Sequence, residues 1–190
     1  MSSIKLKHSG GNSVSLNPPT SAPTSSDVAF KLPTSDGSAN QLLKTDGNLN
    51  LGWATVSSKI LQVVEASSSS SVTVSSGVSS LINVSITPAS TGSKILLLSS
   101  VGVYISANSN CFAELYLYRG TTSGTSLFNQ RGGFNGGTNS NANFGFMYVD
   151  SPNTTSATTY TIGLSKGSSN TTSVTTDSKH YSLIAVEIAA

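Results

Sequence analysis

The side chains able to do acid–base, nucleophilic or metal chemistry are few in this chain. Eight carboxylates (Asp27, Asp36, Asp46, Glu65, Glu114, Asp150, Asp177 and Glu187), two histidines (His8 and His180) and Cys111 are all the carboxylate, imidazole and thiol groups it has. No two acids stand close enough in sequence to suggest a general acid/base pair, although distant carboxylates can meet in a fold, as in glycosidases. Asp36 and Asp46 each precede glycine, which marks turns. Glu65 and Glu114 fall inside strand-like runs and suit cross-strand or intersubunit ion pairs with Lys or Arg. Asp177 and His180 form the one His–acid neighbourhood, short of the three or four donors a metal site needs. Cys111 begins a strand and points with Ala113 and Leu115, as a small buried hydrophobe does. No serine has His and Asp arranged about it as a triad, and no glycine-rich loop joins a strand to a helix as a phosphate cradle must. The residues predict no enzyme, no metal site and no cofactor.

Binding chemistry has one candidate. NQRGGFNGGTNSNANFGF, residues 129–146, is rich in glycine and asparagine and reads as a connection between two strands. Glycine lets a backbone approach a ligand closely, asparagine offers donors and acceptors that match sugar hydroxyls, and an aromatic ring can stack on a sugar face. Arg131, Phe134 and Asn135 are the glycan-binding residues this reading selects. The competing reading is a connection packed against sister subunits.

Any such site must be held by strands. From Ser57 onward, short apolar runs alternate with Ser, Gly, Asn and Thr clusters, predicting strands near 59–66, 70–75, 79–87, 94–106, 111–119, 126–131, 143–150, 158–165 and 180–188. Spacing of about ten residues without a helical period indicates an antiparallel β-sandwich, jelly-roll-like in class. Several strands are apolar or aromatic on both faces. In 111–119, Ala113, Leu115 and Leu117 oppose Phe112, Tyr116 and Tyr118; in 180–188, Leu183 and Ala185 oppose Ile184, Val186 and Ile188; in 94–106, Leu97 and Val101 oppose Leu96, Leu98 and Tyr104. A lone sandwich keeps its outer face polar. The second face therefore meets another subunit, or else loops cover it.

Residues 1–56 differ. Four of the six prolines lie between Pro18 and Pro33, and no sustained period appears. Ile4, Leu6, Val14 and Leu16 suit two short strands about a turn at residues 8–12; the remainder reads as an extended arm. From Phe30 to Trp53, apolar residues stand in ones and twos, in no run long enough to bury itself. Composition sets the outer limits. Charged residues are only 9% of the 190, with 39 serines and 21 threonines in their place. A net charge of +2 gives no basic footprint for nucleic acid. No apolar stretch reaches the ~20 residues of a spanning helix, and the N-terminus lacks the apolar segment of a signal peptide. A single cysteine permits no intrachain disulfide.

The first 55 residues or so resemble a segment repeated across structural proteins of tailed bacteriophages, especially marine and cyanobacterial ones. The elements that carry the likeness are LKHSGGN (Leu6 to Asn12), a proline-bearing spacer (Pro18 to Pro23), Leu32-Pro33, and DGNLNLGW (Asp46 to Trp53). The ending SLIAVEIAA is similar to the closing strand of small jelly-roll knobs on trimeric phage fibres. The resemblance implies a virion fibre or decoration protein: a homotrimer whose arm, residues 1–56, docks on capsid, neck or tail proteins and whose knob, residues 57–190, projects. Leu6, His8, Asn12, Leu32, Pro33, Leu49 and Trp53 are the implied virion-attachment residues. Host surface polysaccharide is the partner such a knob would meet, with no nucleic acid and no membrane insertion. Two other classes compete, a monomeric carbohydrate-binding or adhesin module and a fibre-borne glycan hydrolase.

Overall fold

A computed structural model describes residues 4–17, 19–24, 29–56, 58–108, 111–134, 139–167, 171–176 and 180–190, and not the side chains of Val14, Cys111, Phe134 and Thr172. The chain divides into two units, Met1–Ser57 and Ser58–Ala190.

The first unit holds two hairpins. Strands β1 (Ile4–Lys7) and β2 (Ser13–Leu16) pair antiparallel about the expected turn. His8 closes it: its amide donates to the Asn12 carbonyl at 2.8 Å, and its Nδ1 accepts the Gly10 amide at 3.0 Å. The second hairpin, β3 (Gln41–Thr45) with β4 (Leu51–Thr55), was not expected. Its turn is built by Asp46, which accepts the amides of Asn48 at 2.7 Å and Asn50 at 3.2 Å and the Asn50 side chain at 2.7 Å. These bonds hold the Asp46 carboxyl below its ordinary range. Lys31 bridges to this turn through Leu49 and Leu51, each bond 2.8 Å. Trp53 lies against Gly37, where an added Cβ would meet the ring at 2.6 Å, and its Nε1 donates to the Ser35 carbonyl at 2.8 Å. The stretch from Phe30 to Trp53 is thus folded locally rather than extended, yet it does not bury its apolar side chains.

The second unit contains ten strands among the described residues: β5 (Ile60–Ser68), β6 (Thr73–Val74), β7 (Val78–Ile86), β8 (Lys94–Ala107), β9 (Cys111–Arg119), β10 (Thr125–Phe134), β11 (Asn139–Asp150), β12 (Thr158–Lys166), β13 (Thr171–Thr176) and β14 (Tyr181–Ile188). All pair antiparallel. The smaller sheet runs β7-β12-β9-β10; the larger runs β5-β14-β8-β11, with β13 and then β6 alongside the far half of β8. The four strands β5-β14-β8-β11 facing the four strands β7-β12-β9-β10, wound in this order, make a jelly roll, to which β13 and β6 are added. Between them, Ile95, Leu97, Val101 and Ile105 of β8, Leu183 of β14, Leu115 and Leu117 of β9 and Ile162 and Leu164 of β12 are fully buried. Their period-2 spacing is what turns one face of each strand inward.

Two corrections concern the strands. β13 was missed, and residues 129–146 are mostly strand: β10 runs to Phe134 and β11 starts at Asn139. Gly163 in β12 shows how tightly the outer side of the smaller sheet is closed. A Cβ there would meet Val78 Cγ1 at 2.7 Å and Tyr118 Cε2 at 3.0 Å. Gly163→Ala is expected to cost about 1–2 kcal/mol of stability through overpacking, measured as a lower urea midpoint; an unchanged midpoint would show that the Tyr118 ring moves aside freely.

Candidate assembly interface

The two outer faces of the sandwich have opposite fates. On the smaller sheet, the second face of β9 is covered by its own chain. Tyr118 packs over Gly163 and is nearly buried, and it stacks on Tyr116 with ring centroids 5.8 Å apart. Glu114 accepts the Tyr116 hydroxyl at 2.5 Å and Arg131 Nε at 2.8 Å, and Arg131 lies 5.7 Å from the Phe112 ring centroid. Burial pushes the Glu114 carboxyl up, but these hydrogen bonds outweigh it and hold the group below its usual range. The pairing follows directly from register, since Arg131 stands opposite Glu114.

On the larger sheet the outer face stays open. Register places Val63, Val186, Leu96 and Val149 in one row across β5, β14, β8 and β11, and Glu65, Ile184, Leu98 and Met147 in the next. Ile60, Ile188 and Lys94 form the end row. Met147 is 73% exposed, Val63 60% and Val149 54%; Leu96, Leu98, Ile184, Val186 and Ile188 are half-buried. Glu65 and Lys94 are the charged residues in these rows, both at its margins. A contiguous aliphatic band across four strands is far more than the scattered apolar residues of an ordinary surface, and such bands mark interaction sites.

The first unit shows a second set of uncovered apolar groups: Leu6, Phe30, Leu32, Leu42, Leu43, Leu49 and Trp53 are all exposed, with Leu32 at 75%. Leu49 adopts φ 68, a left-handed conformation unfavourable for a bulky residue. Of the attachment residues expected from the resemblance, Leu32, Pro33 and Trp53 come together around one depression of about 560 Å³, and Leu49 sits in the neighbouring β3–β4 turn. Leu6, His8 and Asn12 belong to the first hairpin. Of the glycan-binding residues, Arg131 is engaged by Glu114; the Phe134 side chain and Asn135 fall outside the described set.

Inside the sandwich lie polar groups whose pairing the sequence did not reveal. Asp150, at the end of β11 and 4% exposed, accepts Arg119 Nε at 2.8 Å, Arg119 Nη2, and the Tyr160 hydroxyl at 2.6 Å. Since β11 belongs to the larger sheet and β9 and β12 to the smaller, the trio ties the sheets together. Burial pushes Asp150 up, but Arg119 and Tyr160 hold it below the carboxylate range; burial and Asp150 push Tyr160 well above its ordinary value. Glu187, fully buried on β14, accepts Gln62 Nε2 at 2.5 Å and the Ala89 amide at 2.7 Å, which outweigh its burial and keep it ionised. These carboxylates each hold structure together. Asp36 and His180 are exposed, Glu65 is on the open face, and Asp27 and Asp177 lie outside the described residues. Among the described residues no three His, Cys, Asp or Glu side chains gather as metal ligands.

No family model matches the chain, and no curated protein matches it in sequence. Solved structures similar to it include infectious bursal disease virus of the Gx strain (15% identical, 74% of this chain and 34% of that chain covered, TM-score 0.39) and of the Gt strain (16%, 90% and 47%, TM-score 0.40). The VP2 subviral particle of infectious bursal disease virus is also similar (15%, 94% and 47%, TM-score 0.38). The chain spans less than half the length of each of these. The jelly-roll assignment rests on its own strand order.

Proposed function

We propose that this chain is a non-enzymatic virion structural protein, a fibre or decoration subunit. Its jelly-roll knob assembles as a homotrimer and its first unit attaches to other virion proteins. One observation carries the reading: the aliphatic band across β5, β14, β8 and β11, left open in the single chain. A side chain of this kind contributes about 1.5–3 kcal/mol when taken fully out of water, and nine of them on one face, four exposed and five half-buried, favour self-association. The N-terminal likeness to phage structural proteins, with its exposed Leu32, Leu49 and Trp53, supports the attachment role. A knob that projects from a particle is placed to meet polysaccharide on the host surface.

Light scattering of the purified full chain at micromolar concentration is expected to give three times the subunit mass; a strict monomer overturns the assembly part. Deleting residues 1–56 is expected to leave a knob that folds and associates but no longer joins particles. Particles that still carry the shortened chain at normal level would overturn the attachment part.

A further inference from the structure

The larger sheet changes character along its length. Beyond the aliphatic rows, β8 places Ser100 and Gly102 outward, opposite Gly145 and Asn143 of β11, and Tyr104 opposite Asn141. Ser182 pairs with Ser100 on the other side, which brings His180, two residues earlier, alongside Gly102. With no side chain at 102, a depression of about 400 Å³ opens between Asn143 and His180; Ser100 and Asn141 also line it. That size falls within the range of small-molecule sites, ~300–1,000 Å³.

We propose that this depression binds a neutral sugar residue. The inference deepens the glycan-meeting part of the proposed function and rests on that part, while standing on residues other than Arg131, Phe134 and Asn135. Asparagine and glycine are poor strand formers, yet they recur here at alternate positions on one face, where Val or Thr would better serve the sheet alone. A glycine inside a strand often marks the close approach of a ligand. Asn139 is used internally, its Oδ1 accepting the Ala107 amide at 3.3 Å. By contrast, the side chains of Asn141, Asn143 and His180 bond no other described residue. Two primary amides, a hydroxyl and an imidazole supply donors and acceptors in the mixture that sugar hydroxyls require. Tyr104, 43% exposed and next along the face, offers a ring for the sugar's C–H side. Among the described residues no lysine, arginine or carboxylate lines the depression, so the groups named here offer hydrogen bonds rather than a counter-charge and suit a neutral ligand. A ligand held by a few neutral hydrogen bonds in an open site binds in the millimolar range.

Saturation-transfer NMR on the assembled full chain, with glucose, galactose, mannose and N-acetylglucosamine as probes and N-acetylneuraminic acid as the charged control, tests this. At least one neutral sugar is expected to give a saturable signal. Gly102→Val, which fills the depression with a good strand former, should weaken it about tenfold or more; should that variant not fold, Asn141→Ala with Asn143→Ala, both exposed, replaces it. Arg131→Ala should leave the signal unchanged. The proposal is overturned by the absence of a saturable neutral-sugar signal, by a signal confined to the charged sugar, or by one that survives the filled depression. Light scattering on the same samples keeps this outcome separate from any failure of trimer assembly.

Discussion

Replacing Asp150 with alanine is expected to lower the unfolding free energy of the sandwich by about 3 kcal/mol. The change removes the acceptor of two bonds from Arg119 and one from the buried Tyr160 hydroxyl. It leaves a guanidinium without its counter-charge and a buried O–H without a partner, each costly in an apolar setting. The Arg119 side chain is 34% exposed, so part of its charge can turn to water, which keeps the loss at the low end of the range for broken buried pairs. Tyr160→Phe should cost only about 1 kcal/mol, because Arg119 still satisfies the carboxylate. Urea unfolding of both variants measures this; a loss below 1 kcal/mol in Asp150→Ala would mean that the trio contributes little to joining the sheets.

Asp150 also shares in the acid response, together with Glu114 and Glu187. In the folded protein Asp150 ionises below its ordinary 3.8, and Glu114 and Glu187 below their ordinary 4.5. A carboxyl with a depressed folded pKa adds stability that is complete above the unfolded value and is lost as pH falls through the folded one. The wild-type sandwich should therefore weaken below about pH 4, and Asp150→Ala should lose less on going from pH 7 to pH 3 than the wild type does. Tyr160 has the opposite sign: raised above 10 by burial and Asp150, its contribution is complete below that pH and falls above it.

Strands whose apolar residues alternate were legible from the chain alone. β8, β9, β12 and β14 were placed within about a residue, and the division of β14 into two faces followed from spacing two, though not which of them turns inward. β13 escaped because TTSVTT offers one strong apolar residue, and its burial depends on β8 rather than on its own pattern. β3 and β4 escaped because their hairpin is fixed by the Asp46 turn and the Trp53–Gly37 contact, which is local geometry rather than hydrophobic period. Glu114 was marked as a cross-strand partner, whereas Arg119 and Asp150, 31 residues apart, meet only once the sheets are stacked. The depression at Gly102 has the same cause: Asn143, Gly102 and His180 become neighbours through register across three strands. Two-sided apolar strands left two readings open, cover by the same chain or by another subunit, and the first holds for β9. On the larger sheet, Leu96, Leu98, Ile184 and Val186 are only half-buried, and Val63, Met147 and Val149 are exposed.

That open face carries the largest expected effect. Val63 and Met147 lie at opposite edges of the band, on β5 and β11, and are 60% and 73% exposed. Charges placed there touch no core, so in a lone subunit Val63→Glu with Met147→Glu should change stability by no more than about 0.5 kcal/mol. In an assembly that buries the band, each copy would bring two unpaired carboxylates into an apolar contact, at several kcal/mol apiece. The double variant is therefore expected to run as a folded monomer where the wild type runs as a trimer. The melting temperature of the wild type should rise with protein concentration, as it does when association stabilises the native state, and that of the variant should not. A variant that keeps the wild-type mass would show that other surfaces join the subunits. A wild type whose melting ignores concentration would leave the band without the partner that its chemistry calls for.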